Sequence, residues 1–208
     1  MYDDLIEVRD IAVDGLKPWF WIKQDRGAWD GPKMDWENSH KHKFFQHLTN
    51  KKVAVCAGGN QGMYPRLIAR EFETVYAFEP DPLNFHVLNR NCQDENIVTL
   101  PVALGSASAM VGMHRHDMGN VGMHSISGTG IIPQLPLDSF ALPALDLLQL
   151  DVEGYEQNVL LGAVEHLRRF RPVVTCERAS SATVMWMETL GYFPTDQSVA
   201  DTIFVHGG

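Results

Sequence analysis

From residue 53 onward the chain alternates short apolar runs with segments whose apolar residues recur at helical spacing. Near-continuous apolar runs are strands buried on both faces, and stringing them between amphipathic helices builds a parallel sheet covered on both sides. That alternation, more than any single motif, restricts the chain to an α/β fold with a doubly wound, mostly parallel sheet. Val53-Ala54-Val55-Cys56 is the first strand. It runs through Gly58-Gly59-Asn60-Gln61-Gly62 into a helix that tolerates Pro65 in its first turn and carries Leu67, Ile68 and Phe72. Thr74-Val75-Tyr76-Ala77-Phe78 is the second strand, stopped by Glu79-Pro80, after which Asp81-Pro82 caps a helix bearing Leu83, Val87 and Leu88. Residues 97–104 read as a third strand, and residues 105–130, rich in Gly, Met, His and Ser, as loops and a hairpin. The apolar run 145–151 predicts a central strand ending in an acid, followed by one helix over 155–170 that stops at Pro172. Val173-Val174-Thr175-Cys176 leads to Glu177, a helix over 182–190 closes at Gly191, and residues 202–205 supply a last strand.

At 208 residues the chain suits one domain with room for a substantial core. Hydrophobic content of 45% and charged content of 21% are ordinary for soluble proteins, and no run approaches the ~20 apolar residues that span a bilayer. Met1-Tyr2-Asp3-Asp4 lacks the basic flank and apolar core of a secretory signal, and Cys56, Cys92 and Cys176 are too few and scattered for a disulfide framework. A cytoplasmic protein with reduced thiols and no membrane partner is the expectation. A net charge of −9 argues against nucleic acid, whose phosphates recruit concentrated Lys and Arg. The first 45 residues differ: Trp19, Trp21, Trp29 and Trp36 hold four of the five tryptophans, among Gly, Pro and charges. Residues 1–45 read as an appendage, anchored onto the core or forming a lid, and residues 46–208 as the ligand-binding domain.

In an open parallel sheet, ligands lie beyond the carboxyl ends of the strands. The glycines after the first strand let a ligand approach the backbone, and the next helix presents free N–H groups; alone, the loop is equally a tight turn. Glu79 ends the second strand, where a carboxylate accepts both hydroxyls of a ribose, so loop and acid together imply a nucleoside. Residues 58–63 read G-G-N-Q-G-M, which lacks the G-x-G-x-x-G of a dinucleotide site, and no lysine follows Gly62 as a phosphate loop requires. Asp151 and Glu153 end the central strand and Glu177 ends the next, bringing three carboxylates toward one cleft. Such acids orient an acceptor hydroxyl, take its proton, attract a cation or bind a hard divalent metal. Glu153 and Glu156 are also placed to charge the following helix N-terminus. His116 and His124 are alternative bases in the irregular segment.

Together, "AGGNQGMY", "VYAFEPDPLNFHVLNRNC" and "LLQLDVEGYEQNVLLGAVEHLRRFRPVVTCE" resemble the FkbM-type family of S-adenosylmethionine-dependent methyltransferases, over roughly residues 53–177. The resemblance implies a Rossmann-like sheet of seven strands, S-adenosylmethionine as cofactor, and methyl transfer, typically to oxygen, with a small molecule or carbohydrate as acceptor. It implies that Gly58, Asn60 and Gly62 wrap the methionine end of the cofactor, with Ala57, Gly59 and Tyr64 beside them. Glu79, followed by Pro80, holds the ribose; Ala103 and Leu104 lie against adenine; Asp151 adjoins the cofactor. Asp151, Glu153 and Glu177 are the expected catalytic carboxylates, Glu153 foremost as base, without a resident metal. Two departures from the family pattern, Cys56 and Gln149, where an aspartate and a lysine are usual, leave open a second reading. In it the chain is a non-catalytic module that binds S-adenosylmethionine as a sensor or partner subunit.

Overall fold

A computed structural model describes residues 2–9, 19–26, 43–116, 119–197 and 201–208. Near the amino-terminal end, β1 (Ile6–Arg9) and β2 (Trp19–Ile22) form an antiparallel ribbon. The alternating elements follow as β3 (Val53–Ala57), α1 (Met63–Ile68), β4 (Thr74–Phe78), α2 (Pro82–Asn91) and β5 (Ile97–Leu100). Next come four short strands: β6 (Ala103–Leu104), β7 (Ala109–His114), β8 (Ser125–Thr129) and β9 (Ile132–Leu135). The chain then returns through β10 (Leu147–Leu150), α3 (Glu156–Leu161), α4 (Val164–Phe170) and β11 (Val173–Glu177). It closes with α5 (Ser181–Thr189), β12 (Tyr192–Gln197) and β13 (Asp201–His206).

The main sheet has seven strands in the order β12-β13-β11-β10-β3-β4-β5. Neighbours from β11 to β5 pair in parallel, while β13 lies antiparallel between β11 and β12. The order reverses at β3, which neighbours both β4 and β10; this is the switch point where doubly wound sheets place their ligands. All five residues of β3 are buried, as a central strand covered on both faces demands. One face packs Val55, Leu148 and Val174 against Val159, Leu160 and Leu167, and the other packs Ala54, Cys56 and Leu147 against Ile68 and Phe72. Helix starts obey local chemistry. Asp81 accepts from the N–H groups of Leu83 and Asn84 with Pro82 in the first turn, and Ser180 accepts from Thr183. The three cysteines are free and buried, and burial pushes the Cys92 and Cys176 thiols up to about 12.

Three sequence expectations change. Residues 97–104 are two strands, not one: β5 stops at Leu100, and past Pro101, which has no N–H for the ladder, Ala103 and Leu104 pair with Gln134 and Leu135. They belong to a second, four-stranded sheet of order β6-β9-β7-β8, whose β7 and β8 are the expected hairpin. The single helix over 155–170 is broken at Gly162, where a Cβ would lie 2.0 Å from the Gly105 carbonyl oxygen. The chain restarts as α4 because the Asp138 carboxylate, reaching in from another element, accepts from the N–H groups of Glu165 and His166 at 3.0 Å each. Finally, residues 192–197, to which the sequence assigns no element, form β12; at the sheet edge, with a register shift between Pro194 and Asp196, the proline is tolerated.

Trp19 and Trp21 are buried core residues rather than exposed stacking faces. Their strand is fixed to α2 by the Asn91 side chain, whose Oδ1 accepts from Phe20 N and whose Nδ2 donates to Phe20 O, as a neighbouring strand would. Trp29 and Trp36 lie outside the described residues. Among the described residues no helix is long and apolar enough to cross a membrane.

Candidate functional site

The loop after β3 is shaped by contacts on both sides. Gly58 has φ +85°, and a Cβ there would lie 1.7 Å from the Asp151 carbonyl oxygen, so only glycine lets β3 and β10 converge here. The N–H groups of Gly58 and Gly59 both donate to the Phe78 carbonyl, at 3.0 and 2.8 Å, which ties the loop to the end of β4. Asn60 takes φ +46°, a left-handed conformation that asparagine tolerates better than most side chains. Gly59 and Gly62 serve packing: an added Cβ would come within 3.0 Å of Leu88 Cδ2 and 2.9 Å of Cys92 Sγ, respectively.

Glu79 is held by backbone. Its Oε2 accepts from Asn60 N at 2.7 Å and its Oε1 from Asp81 N at 2.8 Å. Each oxygen keeps a lone pair for a ligand hydroxyl. Burial pushes the Glu79 carboxyl up to about 8, against the pull of those two hydrogen bonds. Asp81, fully buried, anchors the surroundings. Its Oδ1 caps α2, and its Oδ2 accepts from Arg115 Nε at 2.8 Å and faces His124 Nδ1 at 3.2 Å. With Nδ1 turned to Asp81, the His124 Nε2 is left without a hydrogen-bond partner.

At the end of β10, Asp151, Glu153 and Glu177 offer carboxylate oxygens that all lie within 4.8 Å of one another. Burial first, then the charge of Glu177 and a hydrogen bond shared with it, hold the Asp151 carboxyl well above the usual range. Glu153 is raised in the same way, by burial and then Glu177, with Arg178 opposing. Glu156 is the residue that serves the helix: its Oε1 accepts from Gly154 N at 3.0 Å.

These pieces surround a cavity of about 200 Å³ at the switch point. Of the residues expected at a cofactor site, Ala57, Gly58, Asn60, Glu79, Pro80, Ala103, Leu104 and Asp151 line it, and Glu153 joins them. Gly59 and Gly62 lie behind the loop; Tyr64 lines a separate small cavity beside Asp151; Glu177 reaches the site through its bond to Asp151. His124 lines the cavity, and His116 does not, stacking instead edge-on against His114. Sequence reading missed Asn84 and a roof formed by Met113, residues 120–122, Ile126 and Tyr155. Asn84 did leave a signal, as a polar residue on the face of α2 that otherwise buries Leu88. The roof left none, because short strands and a 3-10 turn carry no period. Three buried polar atoms of lining residues, Asn60 Oδ1, Asn84 Oδ1 and His124 Nε2, have no hydrogen-bond partner.

Parallel strands in this order, with one antiparallel strand slotted in beside the edge and a cavity at the switch point, make this a class I methyltransferase fold. The chain belongs to the FkbM methyltransferase family, whose Methyltransferase FkbM domain matches residues 60–194. The family takes its methyl group from S-adenosylmethionine. Solved structures share the fold. TYW2 of M. jannaschii, in complex with AdoMet, is 14% identical over 97% of this chain and 87% of its own, with a TM-score of 0.53. A putative methyltransferase from Streptococcus mutans, in complex with SAH, is 9% identical over 81% of this chain and 96% of its own, also at 0.53. A methyltransferase FkbM from Methylobacillus flagellatus KT is 17% identical over 74% of this chain, with a TM-score of 0.49, and this chain spans only 43% of its length. No curated protein matches the chain.

Proposed function

We propose that this protein transfers a methyl group from S-adenosylmethionine to a hydroxyl oxygen of a small molecule or sugar. The observation that carries the cofactor's placement is the set of unpartnered buried polar atoms, Asn60 Oδ1, Asn84 Oδ1 and His124 Nε2, in the same cavity as Glu79. Buried polar atoms call for hydrogen-bond partners, the two amide oxygens for donors, and acids nearby call for positive charge. S-adenosylmethionine has both, in its hydroxyls, amines and sulfonium, so the lining fits it. Glu79 and Pro80 would hold the ribose, Gly58 and Asn60 the methionine end, and Ala103 and Leu104 the adenine. When bound there the cofactor supplies an electrophilic methyl group.

The chain's own contribution is placement and proton handling. Met113, Ile126, residues 120–122 and Tyr155 cover the cavity, and the close fit of Gly58 against Asp151 fixes the floor. An acceptor alcohol must lose a proton, and Glu153, half-buried at the cavity edge with its proton affinity raised by burial and by Glu177, is suited to accept it. A net charge of −9 supports a small acceptor over a nucleic acid, and buried free thiols suit the cytoplasm.

The test is calorimetric titration of the protein with S-adenosylmethionine, S-adenosylhomocysteine and NADH, alongside Glu79→Ala, followed by detection of S-adenosylhomocysteine formed with sugars and other hydroxyl acceptors. Binding of the sulfur nucleosides alone, lost in Glu79→Ala, together with turnover, is the expected result. Binding without turnover on any acceptor would favour the sensor module, and NADH binding would sink the reading.

A further inference from the structure

We infer that His124 and Asn84 read the ribose of the bound nucleoside: His124 Nε2 meets a hydroxyl held by Glu79, and Asn84 Oδ1 accepts from the hydroxyl beside it. The inference rests on the S-adenosylmethionine reading and deepens it, by giving a residue of the irregular segment after β7 a part in choosing the ligand. Both atoms are buried, belong to residues that line the cavity, and have no hydrogen-bond partner. Buried polar atoms left so are rare enough to need a reason, and a ligand-binding role supplies one.

The hydrogen bonds fix where the two atoms sit. Glu79 Oε1 accepts from Asp81 N at 2.8 Å, and Asp81 Oδ2 faces His124 Nδ1 at 3.2 Å. Asp81 Oδ1 also accepts from Asn84 N, at 3.2 Å. Glu79, His124 and Asn84 therefore gather around Asp81 at one end of the cavity, so a group held by Glu79 lies beside the other two. Each side chain is oriented by its other polar atom. Asn84 Nδ2 donates to the Val121 carbonyl at 3.2 Å; turning the amide over would set oxygen against oxygen, so Oδ1 is the unpartnered end. His124, its side chain only 3% exposed, turns Nδ1 to Asp81 and thereby directs Nε2 away from it.

The chemistry of the pair suits hydroxyls. Asn84 Oδ1 only accepts, whereas His124 Nε2 donates or accepts according to how the imidazole is protonated. A hydroxyl does both, so it partners Nε2 in either state; a carbonyl or an ammonium would serve only one. In S-adenosylmethionine the hydroxyls are the adjacent pair on the ribose, the group assigned to Glu79. A site built to hydrogen-bond a hydroxyl rejects an analogue that lacks it, because its own buried atoms are then left unpaired. His124 and Asn84 are thus specificity residues for the sugar.

The test is calorimetry of S-adenosylhomocysteine and its 2′-deoxy and 3′-deoxy analogues in the wild type, His124→Phe and Asn84→Leu. In His124→Phe, Asp81 keeps Leu83 N, Asn84 N and Arg115 as donors, and circular dichroism checks that each variant folds. The wild type should bind the parent at least about tenfold more tightly than either analogue, and in each variant the ratio for one analogue should fall at least about threefold. A merely structural change would weaken all three ligands together and leave the ratios where they were. His124→Gln, whose amide sets a polar atom near the place of Nε2, should recover part of the ratio that His124→Phe loses. Unchanged ratios in a variant overturn the assignment of that residue, and unchanged ratios in both overturn the inference. If S-adenosylhomocysteine still binds the wild type and fails on Glu79→Ala, the cofactor reading stands without it. A wild type that does not bind S-adenosylhomocysteine overturns both.

Discussion

At Glu79 a buried carboxyl is pushed up to about 8 from its ordinary 4.5, so the ligand-free folded protein binds this proton more tightly than the unfolded chain. The stability it lends is whole below the ordinary value and is lost as pH rises through about 8. Ribose hydroxyls donate to the ionised form and favour it. Nucleoside binding should therefore expel a proton near neutrality and tighten between about pH 6 and about pH 8.5. Calorimetry of S-adenosylhomocysteine in two buffers of different ionisation heat reads this directly. In Glu79→Gln the proton release should vanish and binding weaken by about 1.5–3 kcal/mol; equal release in the variant would assign the proton to another group. Gly58 answers to packing instead. Gly58→Ala would drive a Cβ to 1.7 Å from the Asp151 carbonyl at φ +85°, and should cost at least about 2 kcal/mol in a urea melt. A loss near zero would mean that the β3–β10 floor yields and does not hold the fit described.

Among the elements, α4 depends on a residue that no local pattern reveals. Asp138 accepts from two N–H groups of the first turn of α4 and also from His166 Nδ1, at 2.6 Å. Asp138→Ala should cost about 1–2 kcal/mol while sparing cofactor affinity, because α4 does not line the cavity. Loss of binding would show that α4 positions the site. The same contrast explains what was legible. β3, the glycine loop, β4 and the Asp81 cap are specified by neighbours in sequence, so their reading holds, as does the placement of Asn60 and Glu79 at the cavity. The break at Gly162 arises from Gly105, the α4 cap from Asp138, and the roof from strands too short for a period; each is a contact between distant segments. Glycines mislead in a particular way. Gly58 faces the cavity while Gly59 and Gly62 avoid Leu88 and Cys92, and a run of glycines does not distinguish a ligand from a close-packed neighbour.

On the scale of the molecule, the cavity is where segments distant in the chain meet. Its floor is the ends of β3, β4 and β10, its roof is drawn from the second sheet, the 3-10 turn near residues 120–122 and Tyr155, and the amino-terminal ribbon is tied to both sides. Gln61, in the glycine loop, accepts from Ile22 N and donates to Asp25, while Arg26 N donates to the Gly119 carbonyl beside the roof. A ligand that touches floor and roof binds the assembled state and not the unfolded chain, so it should stabilise the whole protein by mass action. S-adenosylhomocysteine at a hundredfold excess over its dissociation constant is worth about 2.7 kcal/mol, which for a chain of this size raises the melting temperature by about 5–11 °C. The shift should grow with the logarithm of ligand concentration and appear as one cooperative transition, because no part of the cavity wall survives alone. Glu79→Ala should lose the shift at the same ligand concentration. A ligand that binds with measured affinity yet leaves the melt unmoved, or moves only one of two transitions, would mean that the second sheet and ribbon unfold apart from the main sheet. The cavity would then be a surface of the main sheet alone, open on the side where the roof now lies.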